Sequence, residues 1–225
     1  MPNDKPYIRP WNSPGKNGTE TSMGSIYDWV ENLQENPDTL SPIFSVENAV
    51  PPQICDYIVK KSQVENDQFR EAATGADKNV DHMIRKNKIM FSELKWVNAL
   101  LYGFINDING LNFRYDLHDF DVEAYQISKY LPGDFYEQHS DRGWTRNTLD
   151  FTRKLSISLQ LSGPEDYEGG ELIIYPPPSL APWVAPKKKG TLVVFDSLIC
   201  HEVKPVISGV RYSAVKWVHG EIPFR

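Results

Sequence analysis

RKLSISLQL, residues 153–161, alternates Leu155, Ile157, Leu159 and Leu161 with Lys154, Ser156, Ser158 and Gln160. A period of two marks a β-strand whose two faces differ in chemistry. Comparable stretches fall at roughly 121–130, 170–175, 190–195, 200–206 and 210–219, with Gly- and Pro-bearing turns between them. Short strands joined by such turns build a sandwich or a jelly roll. The last stretch decides between wet and closed versions of that fold. Arg211, Ser213, Val215 and Trp217 share one face, opposed by Val210, Tyr212, Ala214 and Val218. In a plain sandwich a polar face meets water, whereas in a barrel-like jelly roll it lines a lumen that can hold a ligand. A cation on the same face as a tryptophan favours the lumen.

Upstream of the strands the period changes to that of helices, so the fold class expected is mainly β with flanking helices (α+β). Pro51 and Pro52 suit the first turn of a helix that turns Ile54, Cys55, Ile58 and Val59 to the core. A second helix is expected from Ser92 as N-cap with Glu93 in its first turn. It carries Trp96, Val97, Leu100, Leu101, Phe104, Ile105 and Ile108 at spacings of three and four, and Gly110 is expected to end it. Between the helices, Asp67 to Lys88 is polar and irregular, the character of a loop over a binding site. Residues 1–24 lack a hydrophobic period and are rich in Pro, Asn, Gly, Ser and Thr, so a flexible arm is expected there. The remaining 25–225 reads as one domain, helical over about 44–110 and strand-rich over about 118–219.

Charge and composition narrow the function classes. A net charge of −6, with no like-charged run longer than Lys187-Lys188-Lys189, argues against tight nonspecific nucleic-acid binding. Two cysteines, Cys55 and Cys200, make no disulfide framework and suit a reducing compartment. The N-terminus lacks the apolar core of a secretory signal, and no stretch approaches the roughly 20 apolar residues of a membrane span. A soluble, cytoplasmic protein without a membrane partner is expected; oligomeric state is left open.

Three residues carry metal chemistry. His139 and Asp141 stand at i and i+2, on one face of a strand or strand end. His201 follows the apolar run Thr191–Phe195 after a short link. Two histidines and a carboxylate can occupy one face of an octahedral Fe(II), leaving three positions for a chelating co-substrate and dioxygen. Arg211 adds a forked cation suited to the far carboxylate of a dicarboxylic acid. Each piece alone has a plainer reading: HxD as a solvated turn, His201 as a rim residue, Arg211 as half of a surface ion pair. His82, His118 and His219 have no partner at a suggestive spacing and read as structural or solvent-facing. Tyr130, which opens a Tyr-Leu-Pro-Gly133 turn, and Tyr136, three before His139, read as walls and hydroxyl donors of the same site.

The joint order is specific. Tyr-x-x-Gly, then His-x-Asp, then Glu168-Gly-Gly-Glu-Leu172, Lys189-Gly190, His201, Pro205-Val206 and Gly209-x-Arg211 follow one another along the chain. In this order the sequence resembles the prolyl 4-hydroxylase-like family of Fe(II)/2-oxoglutarate-dependent dioxygenases, especially its small microbial and phage members. The resemblance runs from about Phe44 to Trp217 and is strongest after Tyr130; Ile84-Arg-Lys-Asn87 also looks like the family's arginine-bearing segment. It implies a double-stranded β-helix, or jelly roll, with N-terminal helices packed on one sheet. It implies iron held by His139, Asp141 and His201, and the distal carboxylate of 2-oxoglutarate held by Arg211. Tyr130 would bond the co-substrate and Trp217 would wall the metal site.

The implied reaction is hydroxylation of a substrate with O2, coupled to decarboxylation of 2-oxoglutarate to succinate and carbon dioxide; ascorbate is a possible further reductant. A protein or peptide carrying the target proline is the first substrate expectation. The same chemistry on another side chain, a small molecule or a nucleobase is the second. A jelly roll that binds metal or ligand without turnover is the third. The Tyr175–Pro186 segment and the Asp67–Asp81 loop match nothing in the family and leave the substrate open. Asp141 is intact, against a halogenase-type site.

Overall fold

A computed structural model describes residues 8–10, 41–65, 68–73, 80–92, 94–118, 123–142, 151–176 and 181–221. In chain order the elements are β1 (Ile8–Pro10), β2 (Ile43–Val46), α1 (Pro52–Val64), β3 (Arg70–Glu71), β4 (Arg85–Lys86), β5 (Lys88–Phe91) and α2 (Lys95–Ile108). They continue as β6 (Gln126–Tyr130), β7 (Phe135–His139), β8 (Phe151–Gln160), β9 (Tyr167–Gly169), β10 (Leu172–Tyr175), β11 (Trp183–Val184) and β12 (Leu192–Asp196). β13 (Cys200–Val203), β14 (Val206–Gly209) and β15 (Arg211–Glu221) complete the chain. The major sheet runs β1-β2-β12-β8-β15-β6-β5-β3 and the minor sheet β11-β10-β13-β7-β4, with β9 and β14 as a separate ribbon. The strand pairings are antiparallel. This is the jelly roll with helices on one sheet that the resemblance implied.

Two cores explain why β8 alternates as it does. Leu155, Ile157, Leu159 and Leu161 belong to one cluster with Ile58 of α1, Val97, Leu101 and Ile105 of α2, and Tyr212, Ala214 and Val218 of β15. Fully burying a side chain of this size stabilises by roughly 1.5–3 kcal/mol. This core clamps the helices to the major sheet. The opposite face of β8, Ser156, Ser158 and Gln160, is also buried. It shares the space between the sheets with a second apolar cluster of Tyr130, Ile174, Val193, Phe195 and Val203, among others. The polar face is therefore a lumen lining.

Local chemistry moves several boundaries. Ser92 does not cap α2, which starts at Lys95 with Leu94 in the cap position and no side-chain cap bond. The Ser92 hydroxyl instead accepts from Tyr125 Oη at 2.7 Å. Gly110 does not end the helix either. The chain widens into a π-helical turn, Asn109–Phe113, closed by Arg114 at a left-handed φ of 56°. The Asn109 side chain accepts from the Tyr115 N–H at 2.9 Å and donates to its carbonyl at 2.8 Å, holding that turn. Within the expected arm, Ile8–Pro10 forms β1 on β2, and the rest of residues 1–24 lies outside the described residues. Glu93, parts of Asp67–Asp81 and residues 177–180 also lie outside them. His118 and His219, read as separate, meet through an isolated β-bridge. Among the described residues no helix is long and apolar enough to cross a membrane.

Candidate functional site

The two histidines arrive by strand pairing. β7 and β13 run side by side in the minor sheet, and His139 sits directly opposite His201. Partners opposite one another in an antiparallel pair point to the same face, and the two imidazoles stand 4.2 Å apart between ring centroids. The register shifts between this pair and the Tyr136–Val203 pair, and the far end of β7 is anchored by the Tyr130–Gly133 turn. There Gly133 takes a φ of 82°, its N–H bonds the Val206 carbonyl at 2.8 Å, and the Asp134 side chain accepts from the Leu131 N–H at 2.9 Å. A side chain at Gly133 would be strained.

Asp141 follows β7 by two residues and turns its carboxylate between the rings. Oδ1 lies 3.7 Å from His139 Nε2 and Oδ2 lies 3.5 Å from His201 Nε2. One ligand atom from each of the three residues falls within 4.8 Å of the others. Both Nδ1 atoms face backbone carbonyls, His139 to Glu137 at 2.8 Å and His201 to Ile199 at 3.0 Å. Protons on Nδ1 leave the Nε2 lone pairs free toward the shared centre. Burial first, then the neighbouring His201, pushes His139 down to about 3, so its imidazole is neutral. Burial resists ionisation of Asp141, but the two histidines, Arg153 and the Ser156 hydroxyl outweigh it and hold the carboxyl below its usual range. Two imidazole nitrogens and one carboxylate oxygen form a donor set that fits a divalent first-row metal, iron included.

Aromatic rings pack on both histidines. Tyr136 stacks on His139 with ring centroids 3.4 Å apart, and Arg85 lies over its ring at 4.4 Å. Phe195 meets His201 edge-on at 4.7 Å. Trp217 pairs with Ser156 across β15 and β8 and carries the Arg153 guanidinium 3.9 Å above its ring. Arg153 in turn grips both oxygens of Glu123, at 2.8 and 2.9 Å, and reaches the Asp141 carbonyl at 3.3 Å.

Arg211 occupies the same lumen and is 1% exposed. It pairs across strands with Tyr130, whose ring lies 5.2 Å from the guanidinium carbon. Among the described residues its Nη atoms bond only neutral acceptors, Ser213 Oγ and Gln160 Oε1, each at 3.2 Å, and Nε has no partner. No carboxylate among the described residues ion-pairs with it; Glu171 feels its charge, but bonds Lys187 at 2.6 Å. The backbone beneath it is Gly170, where a Cβ would come within 3.1 Å of Arg211 Cδ. A buried cation with an orphaned donor is costly unless an anion completes it, so the pocket fits a carboxylate ligand.

The structure thus gathers His139, Asp141 and His201 into one cluster, brings Tyr130 to Arg211, and sets Trp217 beside Arg153. Sequence reasoning left Ser156, Gln160 and Ser213 without a role and missed Arg153 and Ser197. The signal for the first three was present: each shares parity with Arg211 and Trp217 or lies on the polar face of the quoted stretch.

Residues 125–219 match the model of the 2OG-Fe(II) oxygenase superfamily. A PKHD-type hydroxylase of Crocosphaera subtropica is 34% identical over 130 residues, 58% of this chain and 57% of that protein. The match to the curated relative thus spans little more than half its length. Among solved structures, a Pseudomonas putida prolyl-4-hydroxylase superposes with a TM-score of 0.62 at 21% identity, covering 84% of this chain and 95% of the other. A Trichoplax adhaerens prolyl hydroxylase in complex with a hypoxia inducible factor peptide fragment gives 0.65 at 20% identity, covering 84% and 86%. Over residues 125–219 the chain is thus similar in sequence to the 2OG-Fe(II) oxygenase superfamily, and its backbone shares the fold of the two prolyl hydroxylases.

Proposed function

We propose that this protein is an Fe(II)- and 2-oxoglutarate-dependent dioxygenase that hydroxylates a proline in a protein or peptide, releasing succinate and carbon dioxide. The observation that carries the reading is Arg211, buried without an acid partner among the described residues, in the lumen that His139, Asp141 and His201 face. In this reading the three residues hold iron through the two Nε2 atoms and the Asp141 carboxylate. Bound there, iron and 2-oxoglutarate supply the oxidising chemistry that activates dioxygen.

The chain's own groups bind and orient. Arg211 takes the distal carboxylate of the co-substrate, a charge-assisted contact stronger than the neutral bonds it makes now. Gln160 and Ser213 aim the guanidinium, and Tyr130 offers a hydroxyl beside it. Tyr136, Phe195 and Trp217 exclude water from the metal side. Support for a peptide substrate comes from the resemblance and from an exposed apolar lip on the segment that leads into β4. Val80, Met83 and Ile84 are exposed there. The Ile84 carbonyl accepts from the Glu137 N–H at 2.8 Å, tying the lip to the strand of His139.

The test is an anaerobic titration of 2-oxoglutarate into Fe(II)-loaded protein, followed by visible charge-transfer absorption, with His139→Ala and Arg211→Ala alongside. A saturable band, lost without His139 and reached only at higher 2-oxoglutarate without Arg211, is expected. Folded, iron-loaded protein with no band sinks the oxygenase reading. Peptide pools are then screened for a product heavier by one oxygen atom, with oxygen gained on proline as the expected result.

A further inference from the structure

Two buried hydroxyls stand behind Asp141. Ser156, on β8, donates from Oγ to Asp141 Oδ2 at 2.7 Å, and its Oγ lies 2.9 Å from the Oγ of Ser197. Ser156 is 1% exposed and Ser197 is 0% exposed, so water does not compete for either. A hydroxyl has one proton to give. With Ser156's proton committed to the carboxylate, Ser197 must be the donor of the second bond, and the chain runs one way, from Ser197 to Ser156 to Asp141.

The main chain of Ser197 ties the same turn a second time. Its carbonyl accepts from the N–H of Arg142, the residue after Asp141, at 3.1 Å, and its own N–H donates to the Lys154 carbonyl at 3.0 Å. Ser197 also sits in the short link between β12 and β13, four residues before His201. One residue therefore couples the turn that presents Asp141 to the strand that presents His201.

We propose that the Ser197–Ser156 hydroxyl chain is a positioning device for the metal centre: it occupies Oδ2 of Asp141 and leaves Oδ1 as the uncommitted oxygen offered to the cation. A carboxylate held this way would offer a bound metal its Oδ1, with Oδ2 engaged by Ser156. The inference rests on the metal reading above. Neither serine touches substrate in this account; both act through Asp141.

The test uses Mn(II) and Co(II) alone, added to the metal-free full chain. Free Mn(II) is counted by electron paramagnetic resonance, and Co(II) coordination is read from its visible absorption. The variants are Ser156→Ala, Ser197→Ala, the double variant, Ser156→Thr as the conservative rescue and His139→Ala as the control. Thermal unfolding of each metal-free protein identifies any that fail to fold. Loss of a bond to a ligating carboxylate costs about 10–100-fold in metal affinity, and that range is expected for Ser156→Ala. Ser156→Thr restores most of it, and Ser197→Ala loses less. Because the two hydroxyls act in series, the double variant should match Ser156→Ala instead of summing the two losses. Co(II) absorption should change in Ser156→Ala and return in Ser156→Thr.

Mn(II) affinity and Co(II) absorption unchanged in folded Ser156→Ala would overturn the proposal, as would losses that add in the double variant. If His139→Ala binds Mn(II) as well as the unsubstituted protein, the metal reading itself fails. If only His139→Ala is affected, the metal reading stands and the hydroxyl chain alone falls.

Discussion

On β8 and β15 the two faces of one sheet are both buried, and their chemistry is opposite. Toward the helices lie Leu155, Ile157, Leu159, Ala214 and Val218 with no need of a partner beyond close packing. Toward the lumen lie Ser156, Gln160, Arg211 and Ser213, joined by hydrogen bonds to one another, to Asp141 and to Tyr167. A fold needs one apolar face to hold its layers together. A second buried face made of hydroxyls, amides and a guanidinium stabilises little and costs desolvation. The difference separates the part of the sheet that holds the molecule together from the part that holds a ligand.

Substitutions on the two faces should therefore fail in different ways. Asp141→Ala is expected to abolish hydroxylation, read by mass spectrometry of a peptide substrate. It should lower the unfolding midpoint of the metal-free protein less than a core truncation does, because a carboxyl held below its usual range stabilises the fold at neutral pH while its burial offsets part of that gain. A large loss of metal-free stability would mean that the lumen is structural and break the contrast. Leu159→Ala should do the reverse. It opens a cavity under the helices and should destabilise by about 2–5 kcal/mol in urea unfolding, while the folded fraction keeps its 2-oxoglutarate affinity. A comparable fall in affinity would show that the two faces are coupled.

How much of this contrast was legible follows from the range of each interaction. The alternation in residues 153–161 is local, so strand and faces were readable, and the shared parity of Arg211 and Trp217 pointed to a lumen. His139 and Asp141 are two apart and were readable as a pair. That His201 would stand opposite His139 depends on β7 lying beside β13, a pairing no local pattern encodes. Ser197 is harder still. It sits in a turn, and its role depends on three segments meeting. The helix ends were misread for the converse reason: Tyr125 takes the Ser92 hydroxyl and Asn109 bridges to Tyr115, tertiary and medium-range bonds that override local capping signals.

Arg211→Met gives the sharpest test of the comparison. The guanidinium is buried and, among the described residues, bonds two neutral acceptors and leaves Nε without one. Methionine fills irregular apolar space without a charge to desolvate. Removing an unpaired buried cation should raise the stability of the metal-free protein by about 1 kcal/mol, a rise in melting midpoint of roughly 2–4 °C for a chain of this size. Affinity for 2-oxoglutarate, read by the anaerobic titration, should fall about 10–100-fold with the charge-assisted contact gone. Ligand then reverses the order, because saturation at about 100 times the dissociation constant stabilises the unsubstituted protein by roughly 2.7 kcal/mol. With iron and 2-oxoglutarate present, Arg211 should give the higher midpoint, and without them the lower. A variant less stable under both conditions would make Arg211 a pillar of the lumen, with the desolvation cost of its charge repaid by Gln160, Ser213 and the Tyr130 ring alone.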